Sequence, residues 1–453
     1  MSKKKIRARE RTTIIKALRA GVVPNVGLHH IQVGRSSEIS ALLEDIDHIK
    51  EEGSSIRFII GEYGSGKTFF MNLIRLVAME KKMVVAHADL TPDRRLQSTG
   101  GHAQALFSEL MTNISTRTKP DGGALSNIIE RFISQMREES EKTGQSVEQL
   151  VFNRLAPLKE LVSGFDFARV ITEYWRAYEE EDHQIQGACL KWLRGEYATK
   201  TNAKKELPIG SIIDDNNYYD YLKLFARFVR LAGYEGFVVS LDEMVNLYKL
   251  NHKISRSRNY EQVLRILNDS LQGRASGIGF LFGGTPEFLS DSYRGLYSYE
   301  ALETRLAENS FAQEGLVDLS GPVIRLENLS PEDLFVLLSN IRHVFAKGEP
   351  ASYLIPDEAI AAFMQHCSQH VGDAYFRTPR SSVRAFTDFL SILEQNPEAT
   401  WQDLLPKVQI QQETNPDLLP LEEEQPSPES DGRPQNAPVS PAESDDELTS
   451  FRL

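Results

Sequence analysis

Short, wholly apolar runs alternate along the chain with longer segments whose apolar residues recur three or four apart, and this alternation predicts strands laid between helices. Five runs read as strands: 56–60, 83–88, 237–241, 278–282 and 323–326. They lack a period of two, which suits a parallel sheet covered on both faces. Helical spacing marks 38–49, with Ile39, Leu42, Leu43 and Ile46 inward, then 69–79 and 221–231. The stretch from about 95 to 215 is mostly helical, including 103–114, 125–135, 147–160 and 167–178. A segment of that length inside a compact protein reads as a helical insertion rather than a loop. Three more helical patterns, over 331–346, 357–370 and 380–394, make a small helical domain. The expected fold is α/β: a parallel-sheet core, a large helical insertion and a C-terminal helical lid.

The first strand runs into Gly61-Glu62-Tyr63-Gly64-Ser65-Gly66-Lys67-Thr68, after which Phe69 opens a helix. This is G-x-x-x-x-G-K-T in the strand–loop–helix context that a phosphate loop requires. Its glycines let successive backbone N–H groups close on an anion. Lys67 is then placed to bridge β- and γ-phosphate oxygens, and Thr68 to offer its hydroxyl to Mg²⁺. The third strand closes on Asp242-Glu243. A carboxylate at each position suits Asp242 to the Mg²⁺ water shell and Glu243 to polarising an attacking water. The expected cofactors are therefore ATP and Mg²⁺, and the expected activity is ATP hydrolysis. Guanine recognition is disfavoured, because no Asn-Lys-x-Asp segment closes a strand.

Other residues are candidates to complete the site. Thr285, after the fourth strand, is placed to reach the γ-phosphate or the water, or simply to cap a turn. Arg305 is placed to reach a neighbouring subunit's nucleotide, or simply to form a surface salt bridge, with Arg294 and Arg258 as weaker alternatives. Arg380 follows Thr378-Pro379 at the start of a lid helix, where Thr378 can cap and the guanidinium can sense phosphate. Val33 and Arg35, with Val22 and Val23, can lie against the adenine, or Val33-Gly34-Arg35 can be an ordinary helix-entry turn. The tyrosines at 218, 219 and 221 read as packing residues.

Charge changes the picture at the two ends. The 453 residues carry a net −13, but 410–453 hold eleven acidic residues against two arginines, a net −9 that leaves −4 for the rest. That tail also holds seven prolines, a composition of disorder. Residues 1–32 are a basic segment, with apolar Ile14, Ile15 and Leu18 on one face if helical. A nearly neutral body excludes the simplest basic-surface route to nucleic acid, although a local patch is compatible with it. Two distant cysteines, Cys189 and Cys367, support neither a disulfide framework nor a zinc site. With no bilayer-length apolar run, the expectation is a cytoplasmic protein without membrane contact.

The ordered set of Gly-x-x-Gly-Ser-Gly-Lys-Thr at 61–68, Leu-Asp-Glu at 241–243, Gly-Gly-Thr at 283–285 and Arg380 in a helical lid resembles the AAA+ ATPase superfamily, in its origin-recognition-like branch. Residues 11–24, 233–243, Asn259-Tyr260-Glu261 and 376–380 resemble the bacterial ATP-binding proteins of BREX-type phage-defence islands. Thr285 stands where the superfamily usually has Asn, and no winged-helix domain is evident after the lid. The resemblance implies an ATP-driven switch or motor, homo-oligomeric or assembled with defence proteins such as a helicase. It also implies DNA as a partner, directly or through another protein; the alternative readings are a DNA-loading or DNA-translocating ATPase and a nucleotide-binding scaffold without significant turnover. Domains are expected at 1–32 (basic segment), 33–327 (ATPase core), 328–409 (lid) and 410–453 (acidic tail).

Overall fold

The computed structural model describes residues 6–309, 318–371 and 379–408. The expected tail over 410–453 and the Thr378 cap lie outside the described residues.

Five parallel strands form one sheet: β1 (Ser54–Gly61), β2 (Met83–Asp89), β3 (Gly236–Asp242), β4 (Ile278–Gly284) and β5 (Val323–Leu326), in spatial order β2-β3-β4-β1-β5. The chain thus has an α/β P-loop fold. β4 lies between β1 and β3, with Ile60 opposite Gly284 and Leu241 opposite Phe282. Side chains alternate between the two faces. Phe58 and Ile60 of β1 join one apolar core with Phe237, Val239, Phe280 and Phe282. Ile59, Val85, Val238 and Leu281 join another on the opposite face, against α2 (Ser36–Lys50) and α3 (Lys67–Glu80). Both faces are covered, so every strand can be apolar along its length.

The helical insertion comprises α4 (His102–Thr112), α5 (Leu125–Thr143), α6 (Val147–Lys159), α7 (Gly164–Glu179), α8 (His183–Leu193) and α9 (Lys200–Glu206), and α10 (Tyr218–Leu231) returns the chain to the sheet. Its core is continuous with the first face of the sheet, and Tyr218, Tyr219 and Tyr221 are buried within it. Asp215 fixes its entrance by accepting from the backbone N–H groups of Gly101, Ala103 and Gln104, the unpaired donors at the start of α4. Between β3 and β4 come α11 (Val245–Tyr248) and α12 (Lys253–Leu271), and β4 leads to α13 (Pro286–Ser290) and α14 (Glu300–Leu306).

The C-terminal bundle contains α15 (Pro331–Phe345), α16 (Asp357–Val371) and α17 (Pro379–Gln395). Ser330 caps α15, with Pro331 in its first turn. The N-terminal helix α1 (Ala8–Arg19) packs into this bundle, with Ile14 buried beside Leu338, Phe345, Phe386 and Leu390. Arg11 pairs with Glu394, and Arg19 with Asp388 at 2.9 Å. Part of the acidic surface that this basic helix meets is therefore its own chain. Among the described residues no helix is long and apolar enough to cross a membrane.

Candidate nucleotide-binding site

Ligands of open parallel sheets collect at the carboxyl ends of the strands. Here that end brings together the loop after β1, the Asp242-Glu243 close of β3 and the Gly283–Thr285 close of β4, because β4 separates β1 from β3. The loop turns on Gly64 (φ 79°) and Gly66 (φ 88°), in the left-handed region that glycine enters at least cost. Gly61 is needed for space: a Cβ there would lie 2.5 Å from Ser65 Oγ and 3.0 Å from the Leu326 carbonyl oxygen.

Lys67 Nζ donates to the carbonyls of Gly61 and Glu62 at 2.7 and 2.9 Å, which holds the ammonium across the loop. Thr68 Oγ1 donates to Asp242 Oδ2 at 2.7 Å, so two residues 174 positions apart share one contact. The other oxygen of Asp242 accepts from the Glu243 backbone N–H at 2.9 Å. Asp89 ends β2 directly opposite Asp242; burial, and after it the Asp242 charge, hold its carboxyl above the usual carboxylate range.

Lys67, Thr68, Asp242 and Glu243 open onto a cavity of about 230 Å³. Tyr63, Gly64, Ser65, Gly66, Lys67, Thr68 and Phe69 line one wall, and Asp242, Glu243 and Thr285 line the floor. The rest of the lining is largely apolar, with Leu18, Val22, Val23, Ile31 and Val33 from the N-terminal segment and Leu337 and Val383 from the bundle, beside the polar Gln32, Arg35 and Arg380. A cleft lined both by apolar side chains and by a phosphate loop matches the two chemistries of a nucleotide. Ser65 supports the fit: it is 5% exposed, and its Oγ has no hydrogen-bond partner among the described residues. A buried hydroxyl left unpaired costs about 1–3 kcal/mol, which an anion's oxygen would relieve.

Arg380 lines the cavity and donates from Nη1 to the Tyr63 hydroxyl at 3.0 Å, tying the bundle to the phosphate loop. Thr285 is buried and does cap α13, accepting from the Phe288 N–H at 3.4 Å; the hydroxyl proton remains available as a donor toward the cavity. Arg35 reaches the rim, where it bonds Glu38 and the Glu327 carbonyl, so it braces the wall. Gly61 and Glu62 lie behind the wall and act through their carbonyls. Arg305 is not brought to this cavity: it is exposed on α14 and donates to the Ala301 carbonyl of its own helix. Arg294 is occupied by the carbonyls of Tyr248 and Leu250. Sequence reasoning missed Leu18, Gly21 and the Tyr63–Arg380 bond, all of which depend on where α1 and the bundle pack.

A phosphate loop at the head of α3, with a hydroxyl–carboxylate pair beneath it and an apolar cleft beside it, defines a P-loop nucleotide-binding protein. A family model described as BREX system ATP-binding protein BrxC/D matches residues 6–409, and the chain belongs to that family. It is thus an ATP-binding protein of a phage-defence system that acts alongside other defence components. No curated protein matches the chain.

Proposed function

We propose that the protein is a Mg²⁺-dependent ATPase that works as a switch, hydrolysing ATP to remodel or regulate a nucleic-acid-acting defence assembly. The observation that carries this reading is the 2.7 Å bond between Thr68 and Asp242, which joins the phosphate loop to the acidic end of β3. Mg²⁺ held by these two residues would supply charge neutralisation between the β- and γ-phosphates, in keeping with its habit of binding through one or two protein oxygens plus phosphate. Loop N–H groups and Lys67 bind and orient the phosphates. Glu243 takes the proton of the attacking water, and Thr285 donates to the γ-phosphate or that water. The adenine lies against Val22, Val23 and Val33.

Arg380 couples nucleotide state to the bundle, since the same guanidinium that contacts Tyr63 is within the cavity that phosphate would enter. Arg305, exposed and remote from its own site, acts on the nucleotide of an adjacent copy, so full activity belongs to an oligomer or mixed assembly.

Phosphate release by the purified protein tests the reading. Asp242→Ala is expected to lose Mg²⁺-dependent turnover. Arg380→Ala removes one charge-assisted contact of about 1.5–3 kcal/mol and is expected to lower turnover roughly 10- to 100-fold with the fold intact by circular dichroism. Tight ATP binding with no phosphate release, even in the presence of DNA and other defence components, would instead make the chain a nucleotide-stabilised scaffold.

A further inference from the structure

Beyond Glu243, only α11 separates the acidic end of β3 from an exposed run, Asn251-His252-Lys253-Ile254, that opens α12. Ile254 is 70% exposed, and on the adjoining loop after α13 Tyr293 is 87% exposed. These two apolar side chains stand open to water on two segments of the fold that are bonded to one another.

The two loops are fastened to one another. Arg294 donates from Nη2 to the carbonyls of Tyr248 and Leu250, each at 3.2 Å, and the Tyr248 hydroxyl donates to Asp291 at 2.9 Å. Arg256, buried in α12, donates to the same Leu250 carbonyl at 2.7 Å. Asn259, also buried, both accepts from the Gln97 N–H and donates to the Gln97 carbonyl. Two arginines and a buried amide thus hold the backbone, while Lys253, Ile254, Arg258 and Tyr293 project to solvent. Lys253 and Arg258 form no ion pair among the described residues. Of the nearby acids, Asp291 accepts from Tyr248 and from the N–H groups of Tyr293 and Arg294, and Glu261 lies one turn beyond Arg258 on the same face of α12.

Exposed cations on α12 and an exposed aromatic ring on the loop bonded to the segment before it match the chemistry of a single strand, whose phosphates release counterions to Lys and Arg and whose unstacked bases offer a face to Tyr. A duplex keeps those faces covered, and an acidic peptide would leave the ring unused. We propose that this surface binds single-stranded nucleic acid, with Lys253 and Arg258 on phosphates, Tyr293 stacked on a base and Ile254 against the neighbouring nucleotide. This deepens the ATPase reading by naming the partner whose binding would reach Glu243 through α11, but strand binding itself does not require turnover.

The test is fluorescence anisotropy of the full chain with labelled oligothymidylate, oligouridylate and a duplex of equal length, across a salt titration. Single strands are expected to bind more tightly than duplex, and the two oligonucleotides distinguish DNA from RNA. Tyr293→Ala is expected to weaken binding about tenfold. Lys253→Ala is expected to reduce the slope of log affinity against log salt by about 0.7, one phosphate contact. Both variants should keep the basal ATPase rate and lose any stimulation by the strand. Wild-type affinity and salt slope in both variants would overturn the proposal, as would preference for duplex, or displacement by polyglutamate with no binding of either oligonucleotide. If the wild type releases no phosphate yet these variants lose strand binding, the ATPase reading fails and this one stands.

Discussion

Replacing Glu243 with Gln is expected to leave ATP binding intact and to lower phosphate release by roughly 10²–10⁴-fold, the usual contribution of a positioned general base. The side chain is exposed and lines the cavity, one residue beyond the carboxylate bonded to Thr68. Its backbone adds an independent argument. Glu243 has φ 57°, in the left-handed region where a side chain costs about 1–2 kcal/mol. The conformation is fixed from both sides, since the Glu243 N–H donates to Asp242 and the next N–H, of Met244, donates to the Gly283 carbonyl at 2.9 Å. Asn tolerates this region better than Glu. Glu243→Asn should therefore raise the unfolding free energy by about 1 kcal/mol while lowering turnover as Gln does. Phosphate release and denaturant unfolding on the same preparations decide the matter. Undiminished turnover in the Gln variant would remove Glu243 from the chemistry, and a less stable Asn variant would remove the strain argument.

The parts of this molecule that sequence made legible are those encoded locally. The five strands announce themselves because a sheet covered on both faces requires unbroken apolar runs, and the phosphate loop because its geometry requires glycines at fixed spacing. Edges were less clear: β1 begins at Ser54, two residues before its apolar run, because the ladder continues through polar residues opposite Ile278 and Gly279. The 19-residue helix α12 left no clear pattern, since its inward face includes Arg256, Asn259, Asp269 and Ser270 and breaks the apolar period. These side chains find buried partners that composition does not reveal, such as Asn259 with Gln97. The N-terminal segment was readable as basic and as a possible adenine wall through Val22, Val23 and Val33. Its packing against α17 was not, because pairs such as Arg11–Glu394 and Arg19–Asp388 join opposite ends of the chain. Arg380 was identified from its place at a helix start, whereas its partner Tyr63 required the bundle to be set against the loop.

Gly283 shows how far the site depends on a residue with no chemistry of its own, and Gly283→Ala is expected to disable it. A Cβ at this position would lie 2.3 Å from Asp242 Oδ1 and 2.6 Å from Met71 Sδ. Met71 is a flexible, buried side chain that can yield at modest cost. The carboxylate cannot, because it is held by the Thr68 hydroxyl on one oxygen and the Glu243 N–H on the other. Displacing it breaks one or both charge-assisted bonds, each worth about 1.5–3 kcal/mol, so Mg²⁺-dependent ATP affinity should fall roughly 10- to 100-fold or more, and turnover with it. Overpacking should also cost about 1–3 kcal/mol of stability, which alone could mimic a functional defect. Gly284→Ala separates the two effects: its Cβ would lie 2.5 Å from the Phe288 ring, a clash with a core side chain rather than with Asp242. The Gly284 variant should lose stability but keep the Mg²⁺ dependence of ATP binding, whereas the Gly283 variant should lose that dependence and bind ATP in chelator as the wild type does. An unchanged Mg²⁺ titration in the Gly283 variant would mean that Asp242 does not serve the metal from the position in which Thr68 holds it.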